Sequence, residues 1–205
     1  MTTDGGGWTV LQSRSNGSNI FNQNWQQYKV GFGDILHDFW IGLEDIHALT
    51  VDRPQSLRIE VKDCYGESYD EVYPIFSVSA ESDGYRLSVN RDQSRPISGS
   101  AQDSFDFPDV GQNGTRFSTP DRDSTSGQCA SNRKSGWWFN SESCGVANLN
   151  GQFYSNCCCD EARGCMGCAD GMLWYTATYV DDYSMHSSQM KIRPTALRGG
   201  ALMRD

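Results

Sequence analysis

From about residue 90 to about residue 172 the chain shows no hydrophobic period of two or of 3.6, and Gly, Ser, Asp, Asn and Cys dominate it. A segment of that length without regular structure is either disordered or functional. This one carries seven of the eight cysteines and the pair Trp137–Trp138, which argues for function. Within it, FSTPDRDSTSGQCASNRKSGWWFNSESCGVANLNG gathers an aspartate loop, two cysteines and the tryptophan pair between Phe117 and Gly151. Asp121 and Asp123 are one residue apart, so both carboxylates can turn to one side and, with intervening carbonyls, surround a hard cation such as Ca²⁺.

The flanking segments do have periods. Trp8, Val10 and Gln12 alternate with Thr9, Leu11 and Ser13 after a glycine run, which predicts an early strand entered through a flexible turn. Trp25 and Tyr28, and then Phe39, Leu43 and Ile46, recur at spacings of three and four. They predict two short amphipathic helices, with Asp38 as a candidate N-cap of the second. Leu57, Ile59 and Val61 alternate with Arg58, Glu60 and Lys62, and Tyr85, Leu87 and Val89 with Arg86 and Ser88. Both patterns are those of strands with one wet face in an antiparallel sheet. MLWYTATY and MKIRP restore β-prone character near the end, so the chain is expected to return to the sheet before a tail at residues 195–205.

The chain has 205 residues, 37% hydrophobic and 21% charged, and six Trp, nine Tyr and nine Phe supply a core despite few aliphatic residues. No linker divides it, so one α+β domain over residues 1–205 is expected. A net charge of −9 repels phosphate backbones and anionic membrane faces, which argues against nucleic acid as a partner. Apolar runs of only a few residues argue against membrane insertion. An even count of eight cysteines points to disulfides and an oxidising compartment, with a cytosolic zinc protein as the competing reading. Asn16-Gly17-Ser18 and Asn113-Gly114-Thr115 are glycosylation sequons in Gly- and Ser-rich loops.

GGGWTVLQSR, NWQQYKVGFGD, DFWIGLEDIHALT, LRIEV, YRLSV, FSTPDRD, GWWFN, NLNG, DGMLW and QMKIRP, in this order and spacing, resemble the fibrinogen-like (fibrinogen C-terminal) domain over nearly all of residues 5–194. The resemblance implies an α+β domain with a central antiparallel sheet, short helices and a loop-rich, disulfide-containing, Ca²⁺-binding subdomain. It also implies an extracellular protein whose relatives include ficolins, tachylectins, fibrinogen chain ends and angiopoietin-like ligands. By that comparison the family's amino-terminal subdomain is largely absent here, together with any oligomerising stalk, and the full-length protein would be a homo-oligomer.

In that family the metal loop ends just before a cysteine. Counting back from Cys129, the implied ligands are the carboxylates of Asp121 and Asp123 and the carbonyls of Thr125 and Gly127. Counting forward from Phe117-Ser118-Thr119 instead makes Asp123 the first ligand, with Thr125 in the second place, because the loop is two residues shorter than usual. The first register is preferred, since a lone carboxylate would hold Ca²⁺ weakly; a solvated Asp-rich turn is the alternative. On the metal reading, Asp123→Ala lowers thermal stability in Ca²⁺ but not in EDTA.

The resemblance also implies the disulfide Cys129–Cys144. Cys64, Cys157, Cys158, Cys159, Cys165 and Cys168 fall outside the family pattern. Cys165-x-x-Cys168 is a zinc-ligand spacing, but three adjacent cysteines cannot all face one ion, and disulfides among the six are favoured. Where acetyl-binding relatives carry a Tyr, a His and a Tyr-Ala pair, this chain has Arg133, Gly145 and Cys168-Ala169. Only the alanine is kept, so the usual acetyl pocket is altered, and an inward Arg133 would favour an anionic ligand. Trp137 is a candidate for stacking on a sugar, although adjacent residues face opposite ways and at least one of Trp137 and Trp138 should be core. Tyr183 is placed near the pocket.

No GxSxG, HExxH or P-loop pattern occurs, and three scattered histidines form no triad, so an enzyme is not expected. The expected function is a calcium-dependent, lectin-like pattern-recognition module of innate immunity that binds acetylated or anionic glycans of microbial surfaces. The alternative is a protein- or receptor-binding module without sugar recognition.

Overall fold

A computed structural model describes residues 5–15, 17–90, 103–155, 168–179 and 183–195. Its frame is a seven-stranded antiparallel sheet. The strands in chain order are β1 (Thr9–Arg14), β2 (Phe32–Gly33), β3 (Phe39–Trp40), β4 (Gln55–Lys62), β5 (Ser68–Val78) and β6 (Leu87–Asn90). A two-stranded sheet of β7 (Ala147–Asn148) and β8 (Leu173–Trp174) stands apart, and β9 (Ser187–Pro194) returns to the large sheet. The spatial order is β2-β3-β1-β9-β4-β5-β6, so the last strand fills the centre. It pairs with β1 on one side, from Thr9↔Ile192 to Arg14↔Ser188, and with β4 on the other, from Gln55↔Pro194 to Lys62↔Ser187.

The alternation in β4 is realised as expected: Leu57, Ile59 and Val61 are buried, and Arg58, Glu60 and Lys62 face outward. Sequence periodicity misses β5, in which Pro74 interrupts a run of otherwise mixed polarity. The structure accommodates Pro74 at an irregularity, where the register steps from Gln55↔Phe76 to Leu57↔Tyr73. A proline there costs no ladder bond. Its carbonyl accepts from Ser56 Oγ at 3.2 Å and from Thr195 Oγ1 at 2.7 Å.

Two helices cover the core. In α1 (Trp25–Val30) Asn24 closes a capping box with Gln27, and Trp25 and Tyr28 face inward as their spacing predicts. In α2 (Leu43–Val51) Leu43 and Ile46 are buried, but the expected cap is not found. Gly42 is the N-cap, and Phe39 belongs to β3 rather than to the helix. Asp38 serves a different purpose: it lies 3.7 Å from the Nε of Arg14, with both side chains 1% exposed, and accepts from the backbone N–H groups of Ser15 and Ser18. A second departure lies in MLWYTATY, where only Leu173–Trp174 is strand and Tyr175–Thr178 forms a one-turn helix.

The core is largely aromatic. Trp138 packs on Phe117 and Trp40, with ring centroids 5.1 and 6.1 Å away, while Trp137 stacks on Phe105 at 5.9 Å. The two tryptophan rings also meet each other edge-on, with centroids 5.3 Å apart, and so join two aromatic clusters. Gly136, just before them, is the only residue that fits: a Cβ there would meet Tyr28 at 2.5 Å and Phe117 at 2.8 Å.

Several surface and half-buried carboxylates are held below their ordinary range by cationic partners. Glu81 accepts from Lys29 and Trp25, and Asp83 is drawn down to about 2 by Arg86 and then Arg116. Glu60 is partly buried, which opposes ionisation, yet bonds from Lys191 and Arg58 lower it overall. A depressed folded-state pKa means the unfolded chain binds more protons in the acid range. The stabilisation is therefore present above the ordinary pKa values near 4 and lost as pH falls toward about 2. Urea midpoints at pH 7, 6 and 3 should coincide for the first two within a small difference and drop at the third; a flat profile down to pH 3 would contradict these pairings.

Candidate functional site

The segment beginning at Phe117 is laid down on the core by a two-residue bridge. Ser118 exchanges backbone bonds with Trp137 at 2.9 and 3.0 Å, and Thr119 and Arg122 close the turn that follows. From this turn Arg122 reaches back, its guanidinium 3.9 Å from the centre of the Trp25 ring and 3.5 Å from Glu81.

The two aspartates flank Arg122 but serve different helices. Asp121 Oδ1 accepts from Trp25 N, the first residue of α1, at 2.9 Å and from Thr119 Oγ1 at 2.8 Å. Asp123 Oδ1 accepts from Thr125 N and Oγ1, and its Oδ2 accepts at 2.8 Å from the N–H of Ala130 in α3 (Cys129–Asn132). Each carboxylate thus satisfies backbone N–H groups at a helix start. The donors named from the sequence are still chemically fit for a hard cation. Both bonds to Asp121 fall on one oxygen, Asp123 Oδ2 keeps a lone pair, and the Gly127 carbonyl accepts a single bond, from Asn132 Nδ2. Among the described residues no group of three or more His, Cys, Asp or Glu gathers as a metal cluster, so any cation here would depend on two carboxylates and on carbonyls.

The expected disulfide Cys129–Cys144 is present and closes a loop of sequence separation 15. Ser126 Oγ donates to Ser141 O across that loop at 2.8 Å, which ties the aspartate segment to the disulfide segment. Cys168 is also disulfide-bonded. Cys157, Cys158, Cys159 and Cys165, like Asn16, lie outside the described residues.

Arg133 and the Cys168-Ala169 segment do come together: the Arg133 guanidinium donates to the carbonyl of Ala169. The arginine is therefore engaged by backbone. Gly145 stands elsewhere, against the side chain of Gln112, which a Cβ would approach to 2.5 Å. One pocket assignment needs correction. Trp137 is fully buried in the core and presents no exposed face for a sugar, while Tyr183 keeps 8% of its surface exposed. Trp138 is equally buried, with its Nε1 donating to Tyr85 O at 2.7 Å. Alternation across a strand predicts one inward tryptophan, whereas here both rings turn into the core and touch each other.

Sequence reasoning missed the polar centre beside Arg133. Asp170 receives Lys134 Nζ at 2.8 Å and Tyr154 Oη at 2.6 Å. Burial opposes the ionisation of Asp170, but these two partners hold it below its ordinary value; burial and then Asp170 push the Tyr154 phenol up to about 12. The signal available in the sequence was the Asp170-Gly171 pair. Gly171 can lie so close to Gly151 that a Cβ on Gly151 would fall 1.9 Å from its carbonyl oxygen. The loop beneath is pinned from the sheet: Gln12 donates to Leu149 O at 3.0 Å and Arg14 to Gly151 O at 2.7 Å.

Over residues 1–195 the chain matches the family model described as the C-terminal globular domain of fibrinogen beta and gamma chains. It belongs to that family. Angiopoietin-related protein 7 of Mus musculus is 39% identical to this fibrinogen-like chain over 201 residues, covering 97% of the chain and 54% of the relative. The fibrinogen gamma chain of Mus musculus is 39% identical over 209 residues, covering 93% and 46%. The fibrinogen-like chain thus spans about half the length of these curated relatives. Among solved structures, the fibrinogen-like globe domain of human ANGPTL6 aligns with a TM-score of 0.81 at 36% identity, covering 95% of this chain and 81% of that one. Lamprey fibrin D-dimer complexed with the peptide ligand Gly-His-Arg-Pro-amide aligns with a TM-score of 0.78 at 33% identity, covering 98% and 66%. Among the described residues no helix is long and apolar enough to cross a membrane.

Proposed function

We propose that this fibrinogen-like chain is a secreted, non-enzymatic recognition module that engages a protein or peptide partner through its loop-rich face. The observation that carries this reading is the burial of Trp137 and Tyr183, which leaves Lys134, 56% exposed, and Asp170 as the charged groups beside Arg133. A charged, hydrogen-bonding surface built on the Lys134–Asp170 pair suits a peptide chain. Its similarity to angiopoietin-related protein 7 and to a fibrin solved with a peptide ligand supports the same choice over microbial glycans. In longer forms, repetition of the module in an oligomer would add avidity.

The test pans a random peptide library against the domain and, in parallel, probes an array of acetylated and anionic glycans, each with and without EDTA. Enriched peptides that compete with one another and lose binding on Asp170→Ala are expected, with a silent array. Saturable, sugar-competed array binding without peptide enrichment would overturn this reading in favour of the calcium-dependent lectin.

Ca²⁺ is proposed to bind the loop through Asp121, Asp123 and the carbonyls of Thr125 and Gly127, where it would supply charge neutralisation and rigidity. Because Asp123 also receives Thr125 and Ala130, Asp123→Ala should destabilise the domain in EDTA too, by about 0.5–2 kcal/mol as for a lost helix cap. The metal is read from the difference: wild type should melt higher in Ca²⁺ than in EDTA and the variant should not. A wild-type melting curve indifferent to Ca²⁺ would remove the metal from the proposal.

A further inference from the structure

The outward face of the large sheet holds a cavity of about 360 Å³ unrelated to the aspartate loop. Register fixes its floor. Lys62 stands directly between Ser68 of β5 and Ser187 of β9, giving a hydroxyl–ammonium–hydroxyl row across three strands. The neighbouring row on the same face is Asp70, Glu60 and Gln189.

Charge decides what such a floor attracts. Glu60 receives Lys191 at 2.7 Å and Arg58 at 2.7 Å, and Asp70 receives Arg58 at 3.0 Å, so the acids of the second row are already neutralised. Lys62 is exposed, and its ammonium has no ion-pair partner among the described residues. In a chain of net charge −9 this leaves one local, uncompensated cation, framed by serine hydroxyls and the amide of Gln189. The volume lies at the low end of the range for small-molecule sites, about 300–1,000 Å³, and matches one sugar ring rather than a chain of them.

We propose that this cavity binds a single carboxylate-bearing sugar unit of the hexuronate type. Lys62 takes the carboxylate as a point charge, and Ser68, Ser187 and Gln189 exchange hydrogen bonds with ring hydroxyls. The site is independent of the peptide-binding reading and of Ca²⁺, since none of its residues belongs to the loop-rich face.

Sodium glucuronate titrated into the labelled domain, followed by amide NMR, tests it. Saturable shifts at Lys62, Ser68 and Ser187 are expected, with a midpoint unchanged by EDTA. Lys62→Ala should raise the midpoint at least about tenfold and Lys62→Arg should restore most of the affinity, while glucose and acetate should each bind at least about tenfold more weakly than glucuronate. Lys62 is exposed, so the variants should fold, as their unshifted core resonances will report. No saturable shifts, an equal midpoint in Lys62→Ala, acetate binding as well as glucuronate, or loss of binding in EDTA would each overturn the proposal.

Discussion

Asp38→Ala is expected to cost about 3–5 kcal/mol of folding stability, because it strands a buried cation. Arg14 and Asp38 have side chains 1% exposed, and burial already pulls the guanidinium down to about 10 despite the aspartate beside it. At neutral pH the arginine stays charged, so the variant must bury that charge with only the carbonyls of Ser18, Leu149 and Gly151 and the face of Phe21 as company. The backbone N–H groups of Ser15 and Ser18 lose their acceptor as well. Urea unfolding of the single variant and of Asp38→Ala/Arg14→Leu measures this: the double variant should recover part of the loss. A single-variant cost under about 1 kcal/mol would mean that the pair is solvated and its burial only apparent.

Cys144→Ser should cost about 3 kcal/mol, the chain-entropy value for a loop of this length. The native positions strengthen the expectation locally. Cys144 sits at φ +63°, a left-handed conformation that a serine would no longer be compelled to hold, and Gly145 beyond it has φ +78°. Without the cross-link the segment from Asn140 to Gly145 is held by the exposed bonds between Ser126 and Ser141, by Asn140 to the Gly111 carbonyl, by the contact with Gln112 and by short-range bonds to Asn140 and Ser143. Hydrogen exchange should therefore accelerate most between Gly127 and Gly145, with little change in β4 and β9. Uniform acceleration across the sheet would show the disulfide to be part of the global unfolding unit instead.

Legibility in the sequence followed burial on a single face. Where one face is wet and one dry, as in β4, β6 and α1, period alone places the element, and the family motifs add the fold and the Cys129–Cys144 bond. It fails where a residue answers to something distant in the chain. Asp38 precedes a helix and resembles a cap, yet an arginine 24 residues earlier claims it. Phe39 keeps helical spacing to Leu43 and Ile46, but pairing with Ser13 makes it strand. Pro74 conceals β5 because its tolerance depends on an irregularity opposite Ser56. At the site, the residue types were readable but their engagement was not: Asp121 and Asp123 serve two helices, Arg133 is engaged by a carbonyl, and the Lys134–Asp170–Tyr154 centre forms only when segments some 16 to 36 residues apart meet.

The central place of β9 also sets an order of events during synthesis. β1 and β4 are not neighbours; each pairs with β9, which among the described strands is the last to leave the ribosome. At roughly 5–20 residues per second, a delay on the order of ten to forty seconds separates translation of β1 from that of β9. During that interval the halves of the sheet present two open edges, at β1 and at β4, that fit each other's future partner and any neighbouring chain's. Newly made copies should therefore be most exposed to edge-to-edge mispairing until β9 emerges, and a chain stopped short of Ser187 should aggregate instead of yielding a smaller folded core.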